Sequence, residues 1–96
     1  MNAQLTAALS AEEAAIYAYG TIGVHLSGTD RALARTAELD HRARRDELVA
    51  RLDQLRASAA PAPAGYDLPF PVTDRTSALK LAVQVEDGVA QAWRAA

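Results

Sequence analysis

All four prolines of this chain, Pro61, Pro63, Pro69 and Pro71, fall in one short stretch, and that stretch decides what the chain can become. Proline has no amide hydrogen to donate and biases the preceding residue away from the α region, so no helix runs through it. The segment at 57–72 is therefore a connection, rich in alanine as well as proline. On either side of it apolar residues recur every three or four positions, which is the helical period. A shorter break lies at Leu26-Ser27-Gly28-Thr29, where Gly28 suits the residue that closes one helix and Thr29 or Asp30 suits the cap of the next. Thr73 and Asp74 then supply a hydroxyl cap and an acid for a new first turn. One domain, 1–96, is expected, with helices at 3–26, 29–58 and 73–96 and a crossover at 57–72.

Each predicted helix carries a stripe. Leu5, Leu9, Glu12, Ile16, Tyr19, Gly23 and Leu26 share a face of the first. Leu33, Ala37, His41, Arg44, Leu48, Leu52 and Leu55 share one on the second. The third offers Ala78, Leu81, Ala82, Val85, Val89, Ala92 and Trp93. Strand alternation fits none of these, so the fold class is all-α. Half of the 96 residues are apolar but only 5% are aromatic, so much of the apolar content is small and suits close helix packing. The short turn makes the first two helices antiparallel neighbours. About 15 extended residues reach about 45 Å, so the crossover can run the length of a helix. A hairpin followed by a long crossover is the wiring of some four-helix up-down bundles, the ferritin-like ones included. Three helices leave an apolar stripe uncovered, and Ala96 is reached inside the third periodic segment. A fourth helix is expected either beyond this sequence or from another chain.

Several functions are excluded by composition. There is no cysteine, hence no disulfide framework or thiolate chemistry. A net charge of −2 and the acid-to-base spacing of Asp40 with Arg44 and Glu47 with Arg51 read the basic run His41-Arg42-Ala43-Arg44-Arg45 as a self-paired helix face. No aromatic residue interleaves with that run to stack bases, so nucleic acid is not an expected partner. No apolar run is long enough for a membrane span. The first residues lack a leader's basic and apolar regions, which gives a cytoplasmic expectation.

The informative residues are polar ones on apolar faces. Glu12 interrupts the first stripe, and Glu86 sits beside Val85 and Val89. Glu38 and His41 form a Glu-x-x-His pair, whose side chains at i and i+3 can reach one point. Single carboxylates plus Glu-x-x-His pairs are the donor set of di-iron carboxylate bundles, hard oxygen with imidazole. Glu12, Glu38, His41 and Glu86 are therefore the metal-ligand candidates, for iron or another divalent ion. The other reading is a buried hydrogen-bonded network of Glu12, His41 and Glu86 with Arg44 or Arg45, and no cofactor. In that case Glu38 simply pairs with Arg42 at the surface. Tyr66, Leu68, Phe70 and Val72 alternate with Asp67, Pro69 and Pro71, so an extended strap would turn its apolar side chains one way onto the bundle.

Three strings occur in order: Ala11-Glu12-Glu13-Ala14-Ala15-Ile16-Tyr17-Ala18-Tyr19-Gly20, then His41-Arg42-Ala43-Arg44-Arg45-Asp46-Glu47-Leu48, then Tyr66-Asp67-Leu68-Pro69-Phe70-Pro71-Val72-Thr73. Together they resemble an actinobacterial ferritin-like domain family of unassigned function. The resemblance implies a fold similar to that of ferritin and rubrerythrin, in chains some tens of residues longer with a further helix. It also implies that Glu12, His41 and Glu86 stand at positions where the family tends to keep Glu or His, a pattern that does not extend to Glu38. Two functions stay open. One is a non-enzymatic scaffold or interaction protein. The other is a di-iron-type oxidoreductase or iron-handling protein. A homodimer or larger homo-oligomer packed through the first two helices is expected in either case, with Ala14, Ala15, Ala18 and Gly23 letting a helix approach closely.

Overall fold

The computed structural model describes residues 2–96. Among them are three α-helices and no strand: α1 Asn2–Val24, α2 Gly28–Gln54 and α3 Arg75–Ala95. No helix among the described residues is long and apolar enough to cross a membrane. The helices lie where the periodicity puts them, and local chemistry moves their ends. Gly28 does not close the first helix. It opens the second, at φ +56°, a left-handed value that a side chain resists, and Ser27 rather than Thr29 or Asp30 is the cap residue.

The end of α2 falls short of 58 because a Schellman motif stops it. Ala57 N–H donates to the Leu52 carbonyl at 2.9 Å and Arg56 N–H to the Asp53 carbonyl at 3.0 Å. Arg56 takes the left-handed position, φ 57°, that glycine usually holds. The start of α3 is a capping box built on Asp74, not Thr73. The Ser77 amide donates to Asp74 Oδ1 at 2.8 Å, and Ser77 Oγ accepts from the Asp74 amide at 3.2 Å. Hydrogen bonds from the Ser77 hydroxyl and amide hold the Asp74 carboxyl below its ordinary value.

Helix α1 lies between the other two: it packs closely against both α2 and α3, whose backbones stay apart and which meet through polar side chains such as Asp30 and Arg75. That is why α1 buries more than the one face its stripe suggested, with Ala8, Ala15, Ala18 and Ile22 joining Leu9, Glu12 and Tyr19. Two apolar clusters result. The upper one gathers Ala18, Tyr19, Ile22, Leu26, Ala34, Ala78 and Leu81. The lower one gathers Ala8, Leu9, Leu48 and Leu52. The crossover carries the chain from the lower end to the upper end and docks through Leu68, Phe70 and Val72, the alternate residues of the strap, on the upper cluster. It therefore delivers α3 parallel to α2 and antiparallel to α1. Between α2 and α3 a groove stays open, with Ile22 of α1 and Leu26 of the following turn among its lining residues.

Candidate functional site

Between the two apolar clusters lies a polar layer. Glu12 from α1 and His41 from α2 are both fully buried, at 0% exposure. His41 Nδ1 lies 2.5 Å from Glu12 Oε1, and its Nε2 lies 2.8 Å from Glu86 Oε2 of α3. Ionised carboxylates only accept, so this arrangement is satisfied when both ring nitrogens carry hydrogen and donate. The other oxygen of Glu12 accepts from Arg44 Nε at 2.9 Å and from the Trp93 indole N–H at 2.6 Å. Arg44 Nη2 also stands 3.0 Å from His41 Nδ1. Guanidinium only donates, so Nδ1 cannot serve both neighbours, and the shorter contact assigns its hydrogen to Glu12.

Tyr19 completes the layer. Its hydroxyl donates to Glu86 Oε2. Its ring stacks on His41, with centroids 5.5 Å apart and planes at 29°. Burial first, then the hydrogen bond to Glu86 and its negative charge, raise the phenol well above its ordinary pKa. Burial pushes the Glu86 carboxyl up, but donors from Tyr19 and His41 and the charges of His41 and Arg44 together bring it below its ordinary value. Two carboxylates thus face one guanidinium and the two nitrogens of one imidazole. Among the described residues no buried side-chain nitrogen or oxygen is left without a partner.

The structure brings three of the four candidate ligands together. Glu12, His41 and Glu86 meet. Glu38 does not; it lies on the surface of α2 and accepts from Arg42 Nε at 3.1 Å. The carboxylates of Glu12 and Glu86 occupy opposite nitrogens of one ring, so they do not converge on a common point. Among the described residues no group of three His, Asp or Glu side chains is arranged to hold a metal ion. This donor set, as placed, does not fit a di-iron centre.

Arg44 rather than Arg45 joins the network; Arg45 pairs with its neighbour Asp46 at 3.1 Å. The expected surface pairing of Asp40 with Arg44 gives way because Arg44 turns inward to Glu12. Sequence reasoning left Tyr19 and Trp93 as ordinary core residues. The available signal was spacing: Tyr19 follows Glu12 by seven residues and Trp93 follows Glu86 by seven, two turns along one face. On antiparallel helices such pairs meet crosswise, Glu12 with Trp93 and Tyr19 with Glu86.

Comparison with known proteins bears on the whole chain. Residues 4–96 match the family described as Domain of unknown function (DUF4439). The chain belongs to that family. It is also similar to a solved structure of the conserved hypothetical protein rv2844 from Mycobacterium tuberculosis, with 39% identity and a TM-score of 0.94. The match covers 98% of this chain and 71% of that one. No curated protein matches. The DUF4439 assignment and this neighbour leave the function unassigned.

Proposed function

We propose that this DUF4439 chain is a non-enzymatic helical scaffold of ferritin-like type whose α2–α3 groove is covered by a second copy of itself. One observation carries the reading: α2 and α3 both pack closely on α1, while their own backbones stay apart and are bridged by long polar side chains, His41 with Glu86 and Asp30 with Arg75. Because they run parallel, a helix directed like α1 would meet both antiparallel and close a four-helix bundle. The groove offers apolar surface for it. Leu33, 64% exposed, stands there with Ala37, Leu79 and Ala82. Asp30 of this face is paired with Arg75 of α3 at 2.7 Å and Arg44 with Glu12 at 2.9 Å, so little unmatched charge opposes a copy of the same surface across a two-fold axis. Ala15 and Ala18 are buried within the chain, which moves the expected contact from α1 and α2 to this groove. The polar layer supports a scaffold as well, since a fully matched network favours one packing over its alternatives.

Light scattering tests the proposal. A dimer is expected, burying more than about 1,000 Å² in total, and Leu33→Asp should yield a monomer of unchanged helix content. A monomer over a wide concentration range overturns the reading. One feature favours the iron-handling alternative: the Glu86 side chain is 45% exposed, beside His41 and on the groove, where a seated helix would bring further ligands. Elemental analysis of protein purified without chelators separates the two, and two metals per chain would replace the scaffold reading.

A further inference from the structure

The flank of α2 that borders the groove carries a stripe of alternating charge. Asp40, Arg44, Glu47 and Arg51 follow one another at spacings of four, three and four, which keeps them on one face of the helix. Asp40 and Arg44 line the groove, and the stripe runs on past its lower end. Such spacing ordinarily pairs neighbours along a helix, and here it does not. Arg44 turns to Glu12 at 2.9 Å, yet keeps 39% of its side chain exposed. Arg51 Nη1 donates to Gln54 Oε1 at 3.4 Å. Among the described residues neither Asp40 nor Glu47, both exposed, makes an ion pair. Within the groove Asp40 is thus the one charge left unmatched among the described residues.

A stripe whose signs alternate is complementary to its own reverse. We infer that the second copy seats its own α2 antiparallel on this stripe, about a two-fold axis that passes between Arg45 and Asp46. The inference rests on the self-association proposed above and names its surface and register. Asp40 then stands opposite the partner's Arg51 and Arg44 opposite the partner's Glu47, and symmetry makes each pair twice. Arg45 and Asp46, nearest the axis, pair with each other at 3.1 Å and bring no unmatched charge to it. Slipping by one turn costs in either direction. One slip sets Asp40 against the partner's Glu47 and Arg44 against the partner's Arg44; the other sets Arg44 against the partner's Arg51 and Glu47 against the partner's Glu47. The partner's helix runs in the direction of α1, as the groove requires. Leu33 falls beside the partner's segment 57–60, three alanines and a serine, whose small side chains let it approach.

Sedimentation of the full chain and of charge-reversed variants tests the register. Asp40→Arg and Arg51→Asp each oppose like charges twice in the dimer, and each should raise its dissociation constant at least about tenfold. The double variant rebuilds both pairs with the signs exchanged and should return to within about threefold of the parent chain. Cysteine supplies a second readout, since the chain has none of its own. Residues 40 and 51 lie about 16 Å apart along one helix, too far for a disulfide within the chain. Asp40→Cys combined with Arg51→Cys should therefore oxidise to a covalent dimer, and Asp40→Cys alone should not. A parent dimer indifferent to both reversals, a double variant no tighter than the single ones, or equal cross-linking by Asp40→Cys alone would overturn this register and leave the scaffold reading standing. A parent chain that stays monomeric overturns both.

Discussion

The apolar clusters and the polar layer between them fill the same interior by different rules. Leu52 is 1% exposed, and Glu12 and His41 are 0% exposed. An alanine- and leucine-rich contact is forgiving, because sliding a helix by one turn puts a similar side chain in place of the last. The polar layer has no such freedom. Glu12 must meet His41, Arg44 and Trp93 together, and Glu86 must meet His41 and Tyr19, so one turn of slippage strands several buried donors at once. Burial supplies the drive to pack, and the layer supplies the register.

Truncation on each side of that contrast should give unequal losses. Glu12→Ala removes the acceptor shared by three donors and leaves buried charge uncompensated, for an expected cost of about 4 kcal/mol. Leu52→Ala leaves an apolar cavity and should cost about 3 kcal/mol. Urea denaturation of both variants measures the difference, and a cheaper Glu12→Ala would break the comparison.

Acid sharpens it further. The Glu86 carboxyl is held below its ordinary value in the fold, so its contribution is complete above the ordinary carboxylate range and is lost as pH falls through the folded value. Glu86→Gln should therefore flatten the fall in stability between about pH 5 and pH 3. The side chain is 45% exposed, so the effect stays near or below about 1 kcal/mol. Asp74, held low by Ser77, acts in the same window, so the slope is reduced and not abolished. The smallest change expected is a gain. Arg56→Gly relieves a left-handed backbone at the end of α2, beside the lower cluster, and should add about 0.5 kcal/mol by thermal melting.

The three helices and their connection were legible because proline and period are local signals. What the neighbours of a helix do is not local. The stripe on α1 gave one face, while Ala8, Ala15 and Ile22 are buried as well because α3 covers a second side. Leu33 fits the stripe of α2 yet is exposed, since the surface it faces is the open groove and not α1. Glu12, His41 and Glu86 stood out as polar residues on apolar faces. Their partners did not, because choosing Arg44 over Arg45, adding Tyr19 and Trp93 and dropping Glu38 all require knowing that α1 and α3 run antiparallel.

The crossover has a consequence for the order of assembly. The α1–α2 hairpin closes through a turn of a few residues, whereas α3 joins only after the whole segment 55–74 has been looped back. Local contacts of that kind form first, so the hairpin precedes the third helix. Until α3 arrives, Glu12 and His41 face water on the side that Trp93 and Glu86 later cover. The dehydration of the polar layer thus falls on the docking of the last helix. Hydrogen exchange on the native bundle should therefore show the amides of α3 exchanging before those of the α1–α2 hairpin.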